Sequence, residues 1–165
     1  ATDYNHKDQR SNRVNNALAE IRAVIALNQS GFTEIALSAA KSNHQKADII
    51  ATRDSIRYAI DVKHHSNYNN ENADKRFLNP GEFERYFRSK ISEKSTQLES
   101  SLKLEGTDDA MVFFVIDEIT GLYALNSYEE QYKVFKEIYE NLKTKYGIVN
   151  LGLCFNGDVY IFTQI

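Results

Sequence analysis

Residues 46–65 read KADIIATRDSIRYAIDVKHH, and this stretch decides the fold. Two short apolar runs, 47–52 and 56–63, flank a polar turn over 52–55. In the second run Ile56, Tyr58, Ile60 and Val62 alternate with Arg57, Ala59, Asp61 and Lys63, which is the period of a strand. Polar turn residues between two such runs predict a hairpin. A loop of two or four residues pairs an even position with an odd one, so Asp48 falls opposite Ala59 or Asp61. Residues opposite one another share a face. Asp48, Asp61 and Lys63 therefore converge, with Asp61 and Lys63 about 7 Å apart along their strand.

Charged strand residues ordinarily lie on solvated faces. Here a second acid arrives from the neighbouring strand on the same face, and two adjacent carboxylates repel. A divalent ion relieves that repulsion. Mg²⁺ binds through one or two carboxylates while keeping several waters, acidifies a bound water and stabilises charge on a phosphoryl oxygen. A lysine beside it orients the water or neutralises developing charge.

Asp48 followed by Asp61-Val62-Lys63 across a hairpin resembles the PD-(D/E)xK nuclease superfamily, which includes restriction endonucleases, junction resolvases and bacterial toxin nucleases. The resemblance implies a restriction-endonuclease-like fold and a metal-dependent phosphodiesterase. Its first acid falls on Asp48, its second on Asp61 and its lysine on Lys63. The further glutamate that many members carry on the preceding helix falls on Glu20. Glu20, Asp48 and Asp61 would then hold the metal, Mg²⁺ or Mn²⁺ with Zn²⁺ as the softer alternative, and Lys63 would serve the attacking water. Ala47 stands where the family name has proline, and the resemblance covers 12–66 at most.

Outward from the hairpin, Ser11 or Asn12 caps an expected helix running to Gln29, after a polar, frayed stretch over 1–10. Val14, Leu18, Ile21 and Ile25 form its expected buried stripe, and Ala17, Glu20, Val24 and Leu27 an adjacent one. Residues 32–38 read as a first strand. The long Asn-rich stretch after Lys63, with 66–80 expected mobile, is of a length that functional loops often have. Pro80-Gly81 introduces a helix to Leu104 with Phe83, Phe87, Ile91, Leu98 and Leu102 on its apolar side and a polar gap near Lys94. Arg85, Arg88, Lys90, Lys94 and Gln97 are its candidate phosphate contacts, although a solvated face is the commoner use of such a set.

The apolar run 111–116 predicts a strand buried on both faces and parallel to its neighbour through the helical crossover. Residues 122–125 read as a further extension of the sheet. Ser127 and Glu130 form a capping box for a helix to Lys145 whose stripe is Tyr128, Tyr132, Phe135, Tyr139 and Leu142. Asn156-Gly157 is a hairpin turn between runs at 148–155 and 159–163. His65 would share the face of Lys63, as a proton donor, phosphate contact or softer metal ligand, against a partly exposed strand-end histidine as the plainer reading.

At 165 residues, 42% hydrophobic and 26% charged, the chain reads as one domain of 1–165 with an α/β fold, a central mixed β-sheet flanked by helices. No apolar run approaches the roughly 18 residues of a membrane span. A single cysteine excludes a disulfide within the chain. The net charge of −3 argues against a general basic coat, yet residues 1–65 hold nine Lys/Arg against seven Asp/Glu, while 106–165 hold four against nine. The expected activity is endonucleolytic, on DNA or tRNA. Size and charge fit a toxin-type effector domain that resembles contact-dependent inhibition or colicin-like nucleases; that resemblance implies delivery within a larger secreted protein, action in the cytoplasm and an immunity partner. The alternatives are a junction-resolvase or restriction-type enzyme, a non-catalytic nucleic-acid-binding module, and an interaction protein docking a basic partner through its acidic half.

Overall fold

A computed structural model describes residues 2–37, 47–66, 80–104, 106–117, 127–148 and 150–164; the side chains of 2–13, 66 and 95–104 fall outside that description. In chain order the elements are α1 (Thr2–Gln29), β1 (Thr33–Leu37), β2 (Ile49–Arg53), β3 (Ile56–Ser66), α2 (Pro80–Leu104), β4 (Asp109–Asp117), α3 (Tyr128–Tyr146), β5 (Leu151–Phe155) and β6 (Asp158–Phe162). The strands form one sheet in the order β1-β2-β3-β4-β5-β6. β1, β2 and β3 are antiparallel, β3, β4 and β5 parallel, and β5 and β6 antiparallel. This is the expected α/β architecture with a mixed sheet between helices. The expected loop at 67–79 and the strand extension at 122–125 lie outside the described residues.

Local chemistry accounts for the junctions. Asp54 and Ser55 both take positive φ, 52° and 64°, so the β2–β3 hairpin closes in two residues with a twist that suits its strands. Asn156 and Gly157, at 47° and 92°, do the same between β5 and β6. Ser127 accepts a hydrogen bond from the Glu130 amide at the start of α3, and Gly147 ends that helix in the left-handed region. Pro80 opens α2, where its missing N–H costs nothing.

The sheet buries both faces. On one, α2 and α3 bring Phe83, Phe87, Phe135, Ile138 and Leu142 against Phe114, Leu153, Tyr160 and Phe162. On the other, Ala19, Ala23, Ala26 and Leu27 of α1 cover Ile49, Ala51, Tyr58, Ile60 and Phe113. Two expectations for the helices are corrected here. α1 begins at Thr2, nine residues before its expected cap, and its buried face is the alanine stripe. Val14, Leu18, Ile21 and Ile25 are 58, 52, 50 and 52% exposed. Small side chains let α1 lie close on the sheet, and this rotation is the one that carries Arg22 to Asp117, so the bulkier stripe is left outside. On α3, Gln131 and Ile138 are buried while Tyr128 and Tyr132 are exposed; Gln131 accepts a hydrogen bond from the buried Tyr160 hydroxyl at 2.5 Å, which draws that side of the helix inward.

Close packing between β4 and β5 depends on Gly152. A Cβ there would stand 2.3 Å from Phe113 Cδ2 and 3.1 Å from Met111 Sδ. Gly152→Ala is expected to cost about 1–3 kcal/mol of stability by overpacking. Chemical denaturation checks this, and a parental midpoint would contradict it. No helix among the described residues is long and apolar enough to cross a membrane.

Candidate active site at the notch beside strand β3

β3 outruns its antiparallel partner. It pairs with β2 only as far as Ile60, which faces Ile49, while its pairing with β4 continues to Ser66 opposite Asp117. Beyond the start of β2, β3 has no antiparallel ladder partner among the described residues, and the chemistry-bearing residues gather at that notch.

The two-residue turn sets the register so that Asp48 is the position opposite Asp61. Each acid is fixed by a backbone amide. The Asp48 N–H donates to Asp61 Oδ1 at 3.2 Å, and the Val62 N–H donates to Asp48 Oδ2 at 2.9 Å. Asp61 is 0% exposed, and its second oxygen, Oδ2, is buried with no hydrogen-bond donor among the described residues. Burial first, and the charge of Asp48 second, push the Asp61 carboxyl up to about 6, against the opposing pull of Lys94. A cleft of about 180 Å³ opens here, bordered by Asn16, Ala19 and Glu20 of α1, by Asp48, Val62, Lys63 and His64, and by Lys94 of α2.

All four expected site residues thus meet at one place: Asp48, Lys63 and Glu20 border the cleft, and Asp61 lies buried beneath it, joined to Asp48. They do not form a three-carboxylate cage. Among the described residues no three His, Cys, Asp or Glu side chains are grouped so as to hold a metal ion. The pair that is joined, with one buried carboxylate oxygen lacking a donor, suits a cation that needs only one or two protein carboxylates and keeps its own waters.

Lys94, expected only as a candidate phosphate contact or part of a solvated face, borders the cleft as well. Its Nζ lies 3.9 Å from Asp61 Oδ2. The signal was the polar gap in the apolar side of α2, since a lysine on an inward stripe needs an anion to meet. The other α2 cations divide. Arg88 stacks over the Tyr146 ring at 4.1 Å, on the side of α3, whereas Lys90 approaches Glu93 at 3.3 Å and is felt by Lys63. Burial, then the charges of Lys90 and Lys94, lower the pKa of Lys63. Gln97 lies outside the described side chains.

The two histidines at the end of β3 meet different neighbours. His65 meets the Tyr86 ring edge-on at 5.4 Å, packed against α2. His64 borders the cleft, with Nε2 3.3 Å from Asp117 Oδ2. Asp117 also accepts both guanidinium nitrogens of Arg22, at 2.6 and 2.8 Å. Burial would raise the Asp117 carboxyl, but the hydrogen bonds from His64 and Arg22 outweigh it and hold the group well below the usual carboxylate range. This clip ties α1, which carries Glu20, to the ends of β3 and β4. A wider hollow of about 720 Å³ along α3 is bordered only by exposed residues, Tyr128, Tyr132 and Lys136 among them, and holds no buried ionisable group.

A scan against protein-family models, a search of curated proteins and a search of solved structures each returned no match.

Proposed function

We propose that this chain is a divalent-metal-dependent endonuclease of the PD-(D/E)xK kind, hydrolysing phosphodiester bonds in DNA or tRNA. The observation that supports it most is the buried Asp61 carboxylate, paired with Asp48 across the hairpin and holding one oxygen without a hydrogen-bond donor beside two lysines. Burying two acids together is costly, and a binding module has no need of that arrangement. Asp48 and Asp61 would hold the ion, with Glu20 bordering the same cleft. Bound there, a divalent ion supplies an acidified water and charge stabilisation at phosphorus.

The chain's own residues do the rest. Amides of Asp48 and Val62 fix the two carboxylates, so little reorganisation is required when substrate arrives. Lys63, projecting into the cleft from the strand that carries Asp61, meets the charge that develops on the phosphoryl oxygens. The Arg22–Asp117–His64 clip holds α1 and Glu20 against the sheet. The oxygen-donor pair favours Mg²⁺ or Mn²⁺ over Zn²⁺. The sequence resemblance, rather than the geometry, supports a toxin-type effector delivered by a larger secreted protein, acting in a target cell's cytoplasm and restrained by an immunity partner.

Incubation with plasmid DNA and with total tRNA, each with Mg²⁺, Mn²⁺, Zn²⁺ or EDTA, tests the reading. Cleavage of one of them with Mg²⁺ or Mn²⁺ is expected, with no cleavage in EDTA. Intact nucleic acid under every condition would count against it.

A further inference from the structure

We infer that Lys94 is a resident counter-ion of Asp61 that a divalent cation displaces, so that metal and ammonium compete for one buried carboxylate oxygen. The inference rests on the metal-site reading above. Two ion pairs in this protein show the contrast. Arg22 locks Asp117 with two hydrogen bonds at 2.6 and 2.8 Å. Lys94 stands 3.9 Å from Asp61 Oδ2, too far for a hydrogen bond, and that wholly buried oxygen has no donor among the described residues. Such an arrangement compensates charge without satisfying the oxygen.

Lys94 also reaches the cleft itself. Its side chain is 27% exposed and borders the cleft, at the end of a flexible four-carbon stem. Lys63, on the same cleft, repels it. One ammonium offsets only half the charge of two carboxylates. An ion of charge two at the roughly 2.1 Å of a magnesium–oxygen bond has a charge-to-distance ratio about fourfold that of an ammonium at the observed separation. The cation therefore exchanges for Lys94 at Asp61 Oδ2.

Mn²⁺ binding by calorimetry tests the exchange, with circular dichroism confirming that each variant is folded. Lys94→Gln removes the competitor and is expected to bind Mn²⁺ more tightly, by on the order of tenfold at ordinary ionic strength. Lys94→Arg keeps the charge and is expected to match the parent. In the unmutated protein, the ¹³Cε signal of Lys94, assigned by its absence from the Lys94→Gln spectrum, is expected to shift along the Mg²⁺ binding isotherm. Binding by Lys94→Gln that is no tighter than the parent's, or a Lys94 signal that Mg²⁺ leaves unmoved, overturns the exchange alone. Mn²⁺ binding that is absent, or the same in Asp61→Asn as in the parent, removes the metal-site reading and the exchange with it.

Discussion

Asp61→Asn is expected to abolish cleavage and, in the metal-free protein at neutral pH, to raise the melting temperature by roughly 5–10 °C. Burial and the neighbouring Asp48 charge hold the Asp61 carboxyl at about 6, well above an unfolded carboxylate. A group raised in this way contributes stability as the protonated acid below about pH 4, and that contribution disappears as the pH rises through 6. Asparagine is neutral throughout and keeps an oxygen for the Asp48 amide. The difference between variant and parent should therefore open between about pH 4 and 6 and stay level above 7, at about 2–3 kcal/mol. For a chain of this length that corresponds to the temperature shift given above. Melting curves across this range check it. Equal stabilities at pH 7.5 would show that Asp61 is not a strained buried anion. Added Mg²⁺ should stabilise the parent and leave the variant unchanged, because the proposed site needs the Asp61 carboxylate.

Lys63→Ala carries the second large effect. Lys63 lies beside the acids on the strand that carries Asp61, and an interaction that strengthens only as charge develops lowers the barrier without tightening ground-state binding. The single-turnover rate is expected to fall about 10²-fold or more, as for loss of another preorganised charge-stabilising group, while equilibrium binding of the same nucleic acid changes little. A parental rate would make Lys63 an ordinary strand lysine. Loss of affinity alone would favour a binding module on this fold.

The hairpin was legible because its parity is arithmetic. The alternation of Ile56 to Lys63 and an even loop length leave few choices for Asp48, and the positive φ of Asp54 and Ser55 realises the two-residue case. The parallel crossover was legible in the unbroken apolar run of β4. α1 was misread because apolar size does not measure burial. Ala19, Ala23 and Ala26 make the close contact with the sheet, and Val14, Leu18, Ile21 and Ile25 lose the competition.

His64 escaped the reading for a different reason. Alternation places it on the face opposite Lys63, but past the β2 ladder, among the described residues, side chains from both faces border the same cleft. The clip through Asp117 was invisible because its partner Arg22 lies 95 residues away. Lys94 was visible as an interruption in an apolar stripe, and only the approach of α2 to β3 shows which anion it meets.

The central claim is that the Asp48–Asp61 pair makes this notch a metal-dependent phosphodiesterase. Its most direct test is cleavage of one susceptible nucleic acid by the parent and by Asp61→Asn, each in EDTA and after Mg²⁺ is restored in excess. Cleavage by the parent alone, lost in EDTA and recovered with Mg²⁺, is the predicted result. Cleavage at the parental rate in EDTA, or by Asp61→Asn, would contradict it.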